Sequence, residues 1–471
     1  VDHKLPVLML MVDYLSFKNQ LKESLELGAR TLKQLGEALP QNPGKGRILW
    51  ELLLTKRAIG RRTDEELLAL PTVSDKRVAA TLSLQGAIFA PTFFSNAPLL
   101  MITVLRSVRL SIKYGLHPEW SPTSFAAYGM INASIGQVDD TVRFQRLAVK
   151  MLSLLNSKTG RCWTLYCSYV LGLHLRSPIE DSMAPLLESH DIGMKYLLCG
   201  KGLMAMETLL LAKFMCGHPL PEIHALMDRH IPVMKQHHQT WVAALCGMTH
   251  QHILNLMGRN DDSRLCQLTG IAMDQIETKE ALSRANHEIG LNAISENCMQ
   301  LNATFEQWDQ AMSYHNEMLE RPEGLLATRC HFVRRTFNFY SCLLHFVQFR
   351  RTKEKKHLRK GLSRLSFITK CVKNGCPNLK TVLPLLVAER FSFTANADDV
   401  EDVYLQAINN CRYVQLKALA HERAGMVMLE RFEDCTSWKS HLEAARAHYF
   451  EWGAMAKVSH IERKLTEKRP D

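Results

Sequence analysis

Asp402-Val403-Tyr404-Leu405-Gln406-Ala407-Ile408 and Trp438-Lys439-Ser440-His441-Leu442-Glu443-Ala444-Ala445 present one helical face twice. Ala407 and Ala445 hold equivalent positions 38 residues apart, and Ala418-Leu419-Ala420-His421-Glu422-Arg423-Ala424-Gly425 between them reads as the partner helix. Small residues at one level of each helix allow close approach, and an aromatic a turn later (Tyr449 after Ala445) fills the gap above. Phe305, Trp308 and Ala311 read as an earlier copy, and Val142, Leu147 and Ala148 as a weaker one. A period of roughly 34 to 45 residues built from helix pairs indicates a stack, because one hairpin cannot bury its apolar face alone. The fold expected is all-α, an α-solenoid of roughly ten helical hairpins with a concave interaction face.

The rest of the chain agrees. Leu21, Leu25, Gly28, Ala29 and Leu32 share one face at helical spacing, and Pro40, Pro43 and Gly44 stop the run. Similar runs recur between breakers such as Asn96-Ala97-Pro98, His117-Pro118, Ser177-Pro178, Arg321-Pro322 and Cys376-Pro377. About 20 helices joined by short turns are expected. Asn374-Gly375, the one hairpin-like dipeptide, fits a helix C-cap. The spacing loosens near Gly258 to Thr278, where a bend is expected, so the chain divides into arrays over 1–260 and 261–471, continuous with each other.

Hydrophobic residues make up 46% and charged residues 22% of the 471, which permits a large core and argues against disorder. The chain starts at Val1 and stops at Pro470-Asp471, which reads as a segment of a longer protein. No signal peptide is legible. The most apolar stretch, Gly86 to Leu105, is interrupted by Pro91, Asn96 and Pro98, so no membrane span is expected. Thirteen scattered Cys without a Cys-x-x-Cys pair read as reduced, buried thiols in a cytoplasmic protein.

The ending Ala444-Ala445-Arg446-Ala447-His448-Tyr449-Phe450-Glu451-Trp452-Gly453-Ala454-Met455-Ala456-Lys457-Val458 resembles the last repeat of the tetratricopeptide-like region in large multidomain signalling ATPases. Gly28 to Pro40, Asn96 to Gly115 and Ala126-Ala127-Tyr128-Gly129 extend the resemblance over nearly the whole chain. In that family an AAA- or STAND-type ATPase, often behind a Ser/Thr protein kinase domain, precedes the helical repeats. GAF or PAS sensors and a histidine kinase or nucleotide cyclase commonly follow. The resemblance implies a non-catalytic sensor or regulatory arm in signal transduction, working by protein–protein interaction. Its partners would be the parent's own ATPase or output domains, or an inducer protein. A stand-alone scaffold or adaptor is the alternative.

Signatures of chemistry are weak. Gly44-Lys45-Gly46-Arg47 and Gly200-Lys201-Gly202-Leu203 lack phosphate-loop spacing, and Ser134 lacks the first Gly of a nucleophile elbow. His237-His238 and His250-Gln251-His252 lack the His-Glu-x-x-His pattern and read as surface histidines. Asp139-Asp140, Asp261-Asp262 and Asp398-Asp399 read as helix caps. Met204, Met206 and Leu209-Leu210-Leu211 read as core. No catalytic residue, cofactor or metal is expected.

The charge is uneven. Between Arg350 and Lys380 eleven basic residues face Glu354 alone, nearly the whole net charge of +11. Arg350, Arg351, Lys353, Lys355, Lys356, Arg359 and Lys360 are the candidate docking surface for an acidic protein partner. With only Phe349 and Phe367 nearby for base stacking, nucleic acid is the weaker fit.

Overall fold

Side chains cap several of the helix starts. Thr63 and Glu66 form a capping box, and Asp75, Asp274 and Asn396 accept from backbone N–H groups of the turn they open. The computed structural model describes residues 4–18, 20–321, 329–432 and 436–466. Val1, Pro322, Cys435 and Pro470-Asp471 lie outside the described residues.

The first helices are α1 (Leu5–Phe17), α2 (Leu21–Gln34), α3 (Lys45–Ile59), α4 (Asp64–Leu68), α5 (Lys76–Ala87), α6 (Phe89–Ser95) and α7 (Ala97–Tyr114). Then come α8 (Ser121–Ser134), α9 (Val138–Leu154), α10 (Gly160–Leu171), α11 (Met183–Lys195), α12 (Cys199–Met215), α13 (Leu220–Gln236) and α14 (Thr240–Leu256). After an irregular segment follow α15 (Gln275–Arg284), α16 (Glu288–Thr304), α17 (Trp308–Glu320), α18 (Arg334–Thr352) and α19 (Lys355–Lys373). The last are α20 (Pro377–Lys380), α21 (Leu383–Phe391), α22 (Ala397–Asn410), α23 (Val414–Arg431), α24 (Ser437–Trp452) and α25 (Met455–Thr466). The all-α class holds. Among the described residues the extended pairing is one isolated bridge, Thr72 with Leu116.

The hairpin turns repeat in geometry. Left-handed residues stand at Gly136 and Asn156, at Leu197, Gly217, His238 and Gly258, and at Asn286 and Glu306. Within each group they fall twenty or twenty-one positions apart, so a helix pair occupies about forty residues. Each closes its helix in the same way. The next residue's N–H reaches a carbonyl five positions back, as Leu198 N to Gly193 O (2.7 Å) and Gln307 N to Asn302 O (2.8 Å) show. Asn374-Gly375 caps α19 as expected, with Cys376 N donating to Cys371 O at 3.0 Å.

Inner and outer helices differ in pattern. Every residue from Ser121 to Asn132 in α8 and from Cys246 to Leu256 in α14 is buried; α10, α12, α16, α18 and α23 resemble them. A helix apolar all round is buried all round. The outer helices bury one stripe: Leu220, Ile223, Met227 and Met234 in α13, Gly361 and Ile368 in α19. A fully buried Leu or Met contributes about 1.5–3 kcal/mol, so packing rather than propensity holds the inner layer. Ala407, Ala445, Ala311 and Ala148 are all fully buried at the helix contacts that the repeat reading assigns them. Gly193 and Gly202 bring α11 and α12 closest; a Cβ on Gly193 would lie 2.5 Å from the Gly202 Cα.

The chain then returns on itself. Cys330 Sγ meets Met130 O, Asn378 Nδ2 donates to His174 O and Ser177 O, and Gln415 Nε2 donates to Met215 O. These pairs are 200, 204, 201 and 200 residues apart, an offset of about five forty-residue units. The irregular segment between α14 and α15 is held from inside by Asn255, whose Nδ2 donates to Leu265 O and Gln267 O. α14 packs on α16 across it, and one apolar core runs through both halves.

Two expectations need adjustment. Asp139, Asp140, Asp398 and Asp399 lie in first turns, where they favour the helix dipole, but they do not cap; Asn396 caps α22. Asp261 precedes a 3-10 turn and makes no side-chain cap bond. Lys76–Ser95 is long and apolar enough by composition to cross a membrane, yet half of its most apolar window is buried in the protein, including Leu82, Leu84 and Phe89.

Candidate functional site

Inner helices from both halves meet around a cavity of about 110 Å³. α12 supplies Phe214, α14 His252, α16 Gln300 and Thr304, α18 Arg335, Thr336, Phe339 and Tyr340, and α23 and α24 close it with Leu419 and Trp452.

One wall is aromatic. Trp452 stacks on Phe214 at 5.7 Å, and His252 meets Phe214 edge-on at 5.2 Å. Burial holds His252 down to about 4, so the ring is neutral at pH 7, with Nδ1 3.0 Å from Asn297 Oδ1. The opposite wall is polar. Burial pushes the Tyr340 hydroxyl up to about 12, and it pairs with Thr304. Asn378 is saturated by the backbone: it donates to His174 O and Ser177 O and accepts from Ile179 N. Arg335 differs. Its Nε is buried without a hydrogen-bond partner, its guanidinium reaches the Cys371 thiol, and among the described residues no carboxylate lines the cavity. The arrangement can bind and orient. Arg335 was not legible as a site residue, because neither its neighbours in sequence nor its spacing sets it apart.

The second half also holds two ionic networks, one of them reaching the cavity through Tyr449. Glu389 accepts from Arg350 Nη2 and Arg423 Nε, both at 2.8 Å. Burial works against the Glu389 charge, but the two guanidiniums hold its carboxyl down at about 2. In the second, Lys457 Nζ and the Tyr449 hydroxyl donate to Glu422 at 2.5 and 2.8 Å, while Lys464 and His460 face Glu306.

The first network corrects the basic surface. Arg350 is 6% exposed and committed to Glu389 and Ser392, so it belongs to the core and offers nothing to a partner. Arg351 is exposed but paired with both oxygens of Asp309. Lys353 is the exposed left-handed residue that ends α18, and Lys356 pairs with Glu354 at 2.5 Å. Lys355, Arg359 and Lys360 are exposed and unpaired among the described residues. With Lys356 they crowd the first turns of α19, where the helix dipole opposes positive charge. A surface of four basic residues survives there.

The histidine expectation is also corrected. His237 and His238 sit at a helix end, with His238 exposed, but His250 and His252 are buried on the all-buried helix α14. His250 Nε2 lies 2.8 Å from His224 Nδ1 and 3.6 Å from Asp228 Oδ1, a trio whose donor types suit a transition metal. Arg259 Nη1 stands 3.0 Å from His224 Nε2 and opposes a cation there. The i, i+4 spacing of His224 and Asp228 was the sequence signal for this trio. Glu306, Glu422 and His460 form a second close group, already neutralised by Lys457 and Lys464. Elsewhere Ser134 ends α8, and Gly200 to Leu203 open α12 as ordinary helix. Met204, Met206, Leu209 and Leu210 are core, with Leu211 half-buried. The described cysteines are free thiols, most of them buried.

Among known proteins, no family model matches this chain and no curated protein matches it.

Proposed function

We propose that this chain is a non-catalytic sensor and regulatory arm, an α-solenoid of tetratricopeptide-like hairpins that acts by protein–protein contact within a multidomain signal-transduction ATPase or kinase. The observation that carries the reading is the return of the chain at an offset of about 200 residues. It makes one cavity wall from residues as far apart as Ile179 and Trp452. A molecule bound there touches both halves of the wound array at once. Its affinity therefore differs between a wound and an opened arm, which is the condition for shifting a population between two states. The resemblance of Ala444 to Val458 to the closing repeat of signalling ATPases supports the parent protein. The basic turn of α19 supplies a surface for an acidic partner domain.

The test is capture of this chain by the parent's separately expressed ATPase segment, with ATP or with ADP present. Capture in one nucleotide state is expected, lost when Lys355, Lys356, Arg359 and Lys360 are changed to Glu. Absence of capture in both states would sink the reading and favour a stand-alone scaffold.

A further inference from the structure

The cavity carries one charge and no answer to it. Arg335 lines it from the first turn of α18, and among the described residues no Asp or Glu lines it. After burial itself, the same guanidinium helps to depress His174 to about 3, which places Arg335 beside a second buried side chain. Elsewhere in this core the protein answers buried arginines: Arg350 and Arg423 share Glu389. Arg335 is half-buried, with its Nε sealed from solvent and unbonded, and a polar group left in that state is costly until a ligand completes it.

Size and lining narrow the ligand. A water occupies about 10–15 Å³ on this scale, so 110 Å³ holds a body of about seven to eleven water-sized atoms. Phe214, Phe339, Leu419 and Trp452 offer such a body apolar walls. Thr336 and Thr381 stand near Arg335 in the lining and are half-buried, not sealed off. One guanidinium beside an apolar chamber suits one carboxylate on a ring or short chain, and is a poor match for a polyphosphate.

We infer that the cavity between the two halves is a binding site for a small organic monocarboxylate, its carboxylate on Arg335 and its apolar body against Phe214 and Trp452. This rests on the sensor reading above and names the ligand class of that site.

The experiment is calorimetric titration of the full chain with benzoate, benzamide, hexanoate and inorganic phosphate. Benzoate or hexanoate is expected to bind and to raise the Tm, with benzamide at least about tenfold weaker. Arg335→Gln should remove benzoate binding while leaving the Tm of the free protein unchanged or higher, since an unanswered charge is gone. If Arg335→Gln fails to fold, Leu419→Trp fills the chamber and should abolish binding by bulk. Binding of phosphate without the carboxylates, equal binding of benzoate and benzamide, benzoate binding that survives both substitutions, or no binding at all would each overturn the assignment. Capture by the ATPase segment is read separately, so a failed ligand and a failed sensor reading are told apart.

Discussion

Gln415 donates its side-chain amide to the main-chain carbonyl of Met215 across 2.8 Å, joining residues 200 positions apart. Its Oε1 faces Gly217, where an added Cβ would come within 2.0 Å of it. Gly217 has φ of +73° and ends α12, so the turn that lets the helix stop also makes room for the returning chain.

Gln415→Ala is expected to cost about 1 kcal/mol, the usual worth of one hydrogen bond. Its signature is spatial. Amide exchange should quicken both at the end of α12 and at the start of α23. Faster exchange in α23 alone would mean that the contact does not tie the halves together.

The Glu389 network predicts a larger loss. Glu389→Ala leaves Arg350 and Arg423 buried and unanswered, which should destabilise by about 3–5 kcal/mol in urea unfolding. Arg351→Ala, at an exposed pair with Asp309, should cost less than about 1 kcal/mol. Equal losses would contradict the burial argument.

Acid should weaken the fold. Burial holds His174 and His345 down to about 3, and His250, His252, His315, His331 and His421 to about 4. A free histidine titrates near 6.5, so the unfolded chain takes up these protons first. The stability they confer is complete above about 6.5 and is lost as pH falls towards 4. Glu207 and Glu296, pushed up to about 7 by burial, act in the opposite sense, since folding favours their neutral forms. Seven histidines against two glutamates leave a net loss, so the Tm should fall between pH 7 and pH 5. His345→Gln should flatten that slope. Glu207→Gln should raise stability at pH 8, by on the order of 2 kcal/mol, and steepen the acid loss.

Leu197 holds a left-handed turn, φ +58°, with its side chain 85% exposed. That conformation costs a β-carbon-bearing residue about 1–2 kcal/mol, partly offset by the greater freedom of unfolded glycine. Leu197→Gly is therefore expected to stabilise by about 0.5–1 kcal/mol in thermal unfolding. A drop in Tm would show that Leu197 makes contacts its exposure denies.

Arg350 and Arg335 mark where sequence reading stops. By composition Arg350 belongs to a basic run, yet it sits in the core because Glu389, 39 residues away, answers it. Arg335 looks like any helix-start arginine until four other inner helices surround it. Leu197, His238 and Glu306 turn the chain as Gly136 and Gly258 do, but no glycine announces them. Two helices packed on each other impose those turns.

What the sequence determined by itself is local. Helical spacing of apolar residues, the small residues Ala407 and Ala445, and breakers such as Asn374-Gly375 are short-range facts, because a helix hydrogen-bonds within four or five residues. Tertiary structure alone decided which charges are buried and that the chain closes a cavity at an offset of about 200 residues. Those outcomes depend on contacts between residues far apart in sequence, and no spacing within one helix pair records them.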